Sequence, residues 1–318
     1  MNGPRIGIIG SGMAGLACAR ELTNRGYRPV LLDKGRGVGG RLATRRAGDG
    51  LRFDHGAQYI TAETDGFKAE IDRLICEEAA TAWELEDRSV FTGLPSMNAL
   101  AKGLATGLDI RRETEVVALE ECAGSWRVHS NDRAFEFNRL VMTVPAPQAI
   151  ALLGRSHGLS EAISAVRLLP CWCLMAAFSD APKSGIRVER SRSGPFSWIS
   201  REAAKPGRQE AAGSQANAYV AHASPEWSQD HLEFEKRDVE RLLLELLCQQ
   251  LNVDPASATH VAAHRWRFAK VSVPLGMPFL RNSNATLYLG GDWCLGARVE
   301  CAWQSGQAIG KALPEPDA

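Results

Sequence analysis

The sequence predicts an α/β plus α+β protein. A doubly wound domain is assembled from both ends of the chain, and a mixed or antiparallel-sheet domain is inserted between them. Three observations predict this. A glycine-rich βαβ pattern fills residues 5–33, an apolar strand near the other end closes on Gly290, Gly291 and Asp292, and short alternating strands replace the βαβ rhythm between about 150 and 275. The length of 318 residues accommodates two domains. Segments 1–62, 100–150 and 280–318 are expected in the first, and 63–99 and 151–279 in the second.

Residues 5–9 form the first strand. Gly10 permits the tight turn after it, Gly12 lets a pyrophosphate approach the backbone, and Gly15 lets helix and strand pack closely. Ser11, Met13 and Ala14 complete the binding turn, where free N–H groups and the helix dipole favour an anion. Leu16, Ala19 and Leu22 share the buried face of the following helix. Residues 30–32 form the second strand, which ends on Asp33. Asp33 lies 21 residues beyond Gly12, where an acid hydrogen-bonds a ribose diol.

Composition excludes other classes. Lysine plus arginine total 37 and aspartate plus glutamate total 37, so no nucleic-acid or membrane-surface partner is expected. With 45% hydrophobic and 23% charged residues the chain is globular rather than disordered. The longest strongly apolar run, 168–178, is too short to span a bilayer, and no secretory signal is visible. The 8 cysteines are scattered without a CxxC pair, as expected of reduced thiols in a cytoplasmic protein.

Directly after Asp33 come Lys34, Arg36, Gly39, Gly40, Arg41 and Thr44. A second glycine pair with an arginine in this place resembles the motif of the large FAD family that includes amine oxidases and phytoene desaturases. The resemblance implies a backbone wrapped around the pyrophosphate, with Lys34, Arg36, Gly40 and Arg41 nearby and Arg41 offsetting its charge. The stretch from Phe53 through Asp54, His55, Gly56, Ala57 and Gln58 to Tyr59 is similar to the family segment beside the isoalloxazine ring. Gly56, Ala57, Gln58 and Tyr59 are its implied contacts.

Further along, Phe67, Ile71, Leu74 and Ile75 stand at helical spacing within 64–82 and read as core. Ser96 is an expected N-cap. The same residues, Ser96, Met97 and Asn98, also resemble a family loop that reaches the active site. Residues 109–144 read as strands, and the resemblance places Val116 and Val117 beside the adenine. Strands are expected at 171–178, 196–201 and 217–223, with a polar hairpin loop at 202–216. A long helix is expected over 230–252, its stripe of Val239, Leu242, Leu243, Leu246, Leu247 and Leu251 being core. In the strand 259–268, period two puts His264, Trp266 and Phe268 on one face and Arg265 and Arg267 on the other. At the end of the chain, Gly291, Asp292, Val299 and Glu300 resemble the C-terminal FAD motif. There the terminal helix points at the flavin pyrimidine end and stabilises negative charge on the reduced ring.

Over nearly its whole length the chain resembles the renalases, which have the amine-oxidase-like topology also related to p-hydroxybenzoate hydroxylase. The resemblance implies non-covalent FAD and removal of a hydride from isomeric dihydronicotinamide dinucleotides, the 2- or 6-dihydro forms of NAD(P). The products are NAD(P)⁺ and, with O₂ as final acceptor, hydrogen peroxide. Three features set the chain apart from amine oxidases of this fold. It has only 4 tyrosines for an aromatic cage. Lys270, the lysine near the aromatic strand, lacks the context of a flavin-N5 lysine. Cys294 and Cys301 do not stand in a covalent-attachment motif. A dihydropyridine that loses hydride becomes aromatic directly, so positioning rather than a base is required. Tyr59, His264 and Trp266 are the expected substrate wall, with Arg267 or the 96–98 loop meeting the polar part. The alternatives are an amine oxidase or desaturase-type flavoenzyme, and a non-catalytic flavin-binding protein.

Overall fold

A computed structural model describes residues 4–208 and 216–314. The first sheet has six strands in the order Leu280–Arg281, Leu287–Leu289, Arg139–Met142, Ile6–Ile9, Val30–Leu32 and Asp109–Arg111, all parallel except the first. Ile6–Ile9 lies inside this sheet and is buried throughout, which its continuous apolar run requires. The sheet therefore joins strands from both ends of the chain.

The glycines fix how the first helix, Met13–Asn24, meets its neighbours. A Cβ on Gly15 would lie 2.0 Å from the Gly10 carbonyl oxygen, and one on Gly306 would lie 2.1 Å from that of Ala14. The last helix, Val299–Ala312, thus touches the first backbone to backbone. Leu16, Leu22, Ile6, Ile8, Tyr288 and Ile309 fill the core on this side of the sheet. Trp126, Leu140, Met142, Leu287 and Trp293 fill the other.

The second domain is a five-stranded sheet in the order Val188–Arg190, Phe196–Arg201, Ala218–Ala223, Arg167–Phe178 and Ala258–Val273. It is antiparallel throughout. One face packs on the helix Lys236–Leu251 through Val239, Leu243 and Leu247. The other is covered by the hairpin Thr44–Arg46 and Arg52–Asp54, where Leu51 and Phe53 meet Cys173, Met175 and Val220.

Several sequence expectations shift. Phe67, Ile71 and Leu74 of the helix Asp65–Cys76 pack in the first domain's core, so residues 63–76 do not belong to the inserted domain. Leu159, Ile163 and Val166 likewise join the second core under the six-stranded sheet. The expected 230–252 helix is Lys236–Leu251, starting six residues later, and a separate short helix, Pro225–Asp230, precedes it. Ser224 caps this short helix, its hydroxyl accepting from the Trp227 N–H at 3.2 Å. Ser96 is not a cap: its hydroxyl donates to Asn98 Oδ1 at 2.9 Å, and Met97 occupies the N-cap position. Of the expected 202–216 loop, 209–215 lie outside the described residues, and Glu202–Ala204 is a 3-10 turn.

Candidate active site

The nucleotide cradle is built at the N-terminus of the first helix. Gly12 is its N-cap in extended backbone, and no side chain caps the free N–H groups of the first turn. A Cβ on Gly12 would meet nothing within 4 Å. The glycine keeps this approach open, as a pyrophosphate against the backbone demands. Asp33 organises the turn, accepting from the Ser11 N–H at 2.6 Å, the Ser11 hydroxyl at 2.7 Å and the Gly35 N–H at 2.7 Å. The Gly39 N–H donates to the Ser11 carbonyl at 2.9 Å, bringing the second glycine pair against the first loop. Gly39 has φ +108° and Gly40 φ +53°, values that favour glycine. These features fit a dinucleotide with its pyrophosphate at the helix end.

Arg41 and Asp292 meet each other rather than making the separate contacts the resemblance implies. The guanidinium donates to both carboxylate oxygens at 2.7 Å, and also to the Ala269 carbonyl at 3.0 Å. With Arg41 paired, more of the phosphate charge falls to the helix N-terminus. Gly56 packs against this arginine: a Cβ there would lie 2.0 Å from the Arg41 carbonyl oxygen, which also accepts from the Ala57 N–H at 2.8 Å. Gly291, at φ +152°, donates its N–H to Ser305 Oγ at 2.9 Å.

Other implied cofactor contacts are placed differently. Met13 and Ala14 are core residues, so only their backbone faces the cradle. Lys34 is exposed and 3.7 Å from Glu115, and Arg36 is exposed. Val116 packs against the second core, while Val117 is 57% exposed beside a bulge in its strand. Val299 begins the last helix, which has no side-chain cap. The buried Glu300 carboxylate accepts from the Thr64 N–H and hydroxyl at 2.7 Å each, so it caps the helix Asp65–Cys76 rather than facing the cradle. Gln58 also turns inward. Its Oε1 accepts from Trp198 Nε1 at 3.2 Å and from the Ser200 hydroxyl at 2.9 Å, and its amide donates to the carbonyls of Asp54 and Gly56.

The 55–59 segment meets the inserted sheet in two aromatic groups. His55 lies 4.9 Å edge-on from His264 and 5.3 Å in a stack from Trp266, and Trp266 Nε1 donates to the His55 carbonyl at 2.8 Å. Tyr59 lies 5.5 Å from Trp198, and the Arg190 guanidinium stands 5.1 Å and 5.3 Å from the centres of these two rings. Arg190 also pairs with Asp87 at 3.0 Å. Strand register sets His222, Cys173 and His264 side by side across three strands. Burial pushes His55 down to about 3 and both His222 and His264 down to about 4. All three imidazoles are neutral near pH 7 and too weakly basic to accept a proton there.

Arg267 does not join this wall. It is exposed and pairs with Glu233 at 3.0 Å, as strand alternation relative to Trp266 requires. Met97 is fully buried among Leu100, Ala101 and Ile71, so it is core and not a substrate contact. The backbone N–H of Met97 donates to Asp54 Oδ1 at 3.0 Å, and that of Asn98 to Thr44 Oγ1 at 3.2 Å.

Sequence reasoning missed a cluster of four charges under the 55–59 segment. Lys205 has 0% exposure, its ammonium 3.1 Å from Asp54 Oδ2 and 2.8 Å from Glu202 Oε1. Arg208 is 2.7 Å from the same Asp54 oxygen and also pairs with Glu202. Thr44 Oγ1 donates to the other Asp54 oxygen at 2.6 Å. Burial works to raise the Asp54 carboxyl, but Lys205, Arg208 and Thr44 outweigh it and hold it below the ordinary carboxylate range. The cluster ties the hairpin, the 96–98 loop and the 202–208 turn to one point.

A βαβ cradle for a dinucleotide, closed from the far end of the chain and facing an aromatic-lined sheet, defines a flavin-dependent oxidoreductase fold. The chain belongs to the flavin containing amine oxidoreductase family, whose model matches residues 79–309, and an NAD(P)-binding Rossmann-like domain matches 8–71. FAD is accordingly its cofactor. A relative, (S)-6-hydroxynicotine oxidase of Paenarthrobacter nicotinovorans, is 36% identical over 78 residues; the match covers 24% of this chain and only 18% of that protein. Two solved structures share the fold. A protein named as a protoporphyrinogen oxidase from Exiguobacterium sp. 255-15 superposes with a TM-score of 0.69 at 15% identity, covering 98% of this chain and 99% of its own. Putrescine oxidase bound to putrescine gives 0.62 at 13% identity, covering 97% and 98%.

Proposed function

We propose that the protein oxidises isomeric dihydronicotinamide dinucleotides, the 2- or 6-dihydro forms of NAD(P), to NAD(P)⁺, with O₂ taking the electron pair to give hydrogen peroxide. The observation that carries this reading is the charge of the wall. His55, His222 and His264 are uncharged, as are the indoles of Trp266 and Trp198, while the charged groups that act on them are cations: Arg45, Lys205 and Lys236 on the imidazoles, and Arg190 over the rings of Tyr59 and Trp198. The nearby carboxylates of Asp54, Glu202, Asp87 and Asp292 are each held by a lysine or arginine. Such a wall suits a planar ring carrying phosphates better than a free ammonium.

The chemistry asks little of these residues beyond placement. FAD supplies the hydride acceptor. The wall holds the donor ring in stacked register and excludes water, which is where most of the rate advantage of a bimolecular transfer lies. No proton leaves the substrate when its ring becomes aromatic, so weakly basic imidazoles are no handicap. They act as polar, neutral walls.

One observation favours a second reading, oxidation of an amine. Tyr59 and Trp198 already hold a cation, the Arg190 guanidinium, over their faces. The similarity to putrescine oxidase and 6-hydroxynicotine oxidase points the same way. Anaerobic mixing of the holoenzyme with each dihydro isomer, and separately with putrescine and 6-hydroxynicotine, decides between them. Loss of the oxidised-flavin absorbance with a dihydro isomer and not with the amines is expected. Reduction by an amine, with neither isomer active, would overturn the reading.

A further inference from the structure

Two short elements meet over the Tyr59–Trp198 pair. One is the hairpin Ala80–Leu85 and Arg88–Gly93, which turns at Glu86 and Asp87. The other is the edge strand Val188–Arg190, paired with Phe196–Arg201. Strand register sets Arg190 directly opposite Trp198, so the two side chains share a face. Val188, two residues earlier on that face, packs with Trp83, Val90 and Trp198.

The indole is held in place by groups other than Arg190. Trp198 is only 6% exposed, its Nε1 donates to Gln58 Oε1 at 3.2 Å, and Trp83 meets it edge-on at 6.4 Å. Arg190 then closes a nearly equilateral triangle. The two ring centres are 5.5 Å apart, and the guanidinium carbon is 5.1 Å from that of Tyr59 and 5.3 Å from that of Trp198. The same guanidinium donates to both Asp87 carboxylate oxygens at 3.0 Å. Arg88 also reaches Asp87, at 2.9 Å, but among the described residues Arg190 is the cation that lies over both rings. Two aromatic faces and a carboxylate thus converge on one space, and its size is that of the guanidinium that fills it. With its side chain 30% exposed, Arg190 fills that space from the solvent side.

We propose that Tyr59, Trp198 and Asp87 form a binding site for an organic ammonium ion, and that Arg190 is the specificity-determining residue that keeps it filled. The ring faces attract a cation through their quadrupoles, and Asp87 adds a full negative charge. A guanidinium tethered to the neighbouring strand has an effective concentration that a dilute amine does not match. Filling the site from within is a device against the wrong ligand: it costs an amine its place without adding a new contact for the right one. The exclusion of amine substrates rests on the dihydronicotinamide reading above; the ammonium site itself does not.

The test titrates tetramethylammonium chloride into the FAD-loaded protein by calorimetry, with sodium chloride at equal concentration as the blank. Arg190→Ala opens the space and is expected to bind the probe at least about tenfold more tightly than the parent, the worth of one to two cation–ring contacts. Arg190→Thr, which suits an edge strand better than alanine, should show the same gain. Arg190→Lys keeps a tethered cation and should bind as weakly as the parent. Adding Tyr59→Leu to Arg190→Ala should abolish the gain. Equal affinity in the parent and both opening variants, or a gain that survives Tyr59→Leu, would overturn the site. If the gain appears but an amine reduces the flavin of the parent, the ammonium site stands, while its role in excluding amines and the dihydronicotinamide reading both fall.

Discussion

Replacing Lys205 by methionine tests the buried cluster directly. In the native protein its two cations face two carboxylates, and Lys205 and Asp54 are both fully buried. Methionine fills similar volume but leaves Asp54 and Glu202 sharing Arg208 alone, one uncompensated negative charge in the interior. Removing one partner of a buried ion pair costs about 3–5 kcal/mol. At roughly 2–4 °C per kcal/mol, the melting temperature should fall by about 6–20 °C. Adding Glu202→Gln removes the surplus charge and leaves Asp54 with Arg208, so the double variant should regain about 1–3 kcal/mol over Lys205→Met. The assay is thermal unfolding of the holoprotein, followed by circular dichroism and by release of FAD fluorescence. A Lys205→Met protein within about 1 kcal/mol of the parent would refute the reasoning, since an error that size covers ordinary surface substitutions. So would a double variant no more stable than the single one.

Three further outcomes are expected. Gly12→Ala should fold as the parent does, because its new methyl meets no protein atom within 4 Å, yet hold FAD at least about tenfold more weakly; Gly15→Ala, with 2.0 Å to the Gly10 oxygen, should fail to fold, and unaltered FAD retention in Gly12→Ala would count against the cradle. The depressed histidines contribute stability that is complete above their unfolded value of 6.5 and is lost as pH falls toward 4, by up to about 1.4 kcal/mol per unit for each; urea midpoints that do not drop between neutral pH and about pH 5 would contradict it. Gln58→Leu leaves Trp198 Nε1 and the Ser200 hydroxyl unpaired, at about 1–3 kcal/mol each, and should red- or blue-shift the tryptophan emission; an unchanged spectrum and melting curve would show that the amide is dispensable.

The cradle was legible in the sequence because its parts are close together. Gly10, Gly12, Gly15 and Asp33 act through local turns and one helix end, and their spacing carries the geometry. Alternation along 259–268 also separated Trp266 from Arg267, and that periodicity was a better guide than the wish for a cation beside the wall. What sequence could not supply is long-range pairing. Lys205 and Asp54 are 151 residues apart, and Gln58 and Trp198 are 140 apart. Nothing local marks Lys205 as buried, since a lysine before a proline and glycine reads as a solvated loop. Ser96 read as a cap because a serine before a helix usually is one, but here Asp54 and Thr44 from a distant hairpin take the N–H groups of Met97 and Asn98 that a cap would serve.

The contact of Gly306 with Ala14 has a consequence for how the protein is made. The first helix is made with Leu16 and Leu22 ready for burial, but one surface it packs against, the helix Val299–Ala312, is synthesised far later. Until then Ile6–Ile9 can pair with Val30–Leu32, while its partner on the other side, Arg139–Met142, waits for more than a hundred further residues. The nascent segment thus exposes an unpaired strand edge until residues 139–142 are made, and an apolar helix face for longer still. Completion of the cradle therefore awaits the helix Val299–Ala312, so a chain truncated before Val299 should yield aggregates rather than a shorter flavoprotein.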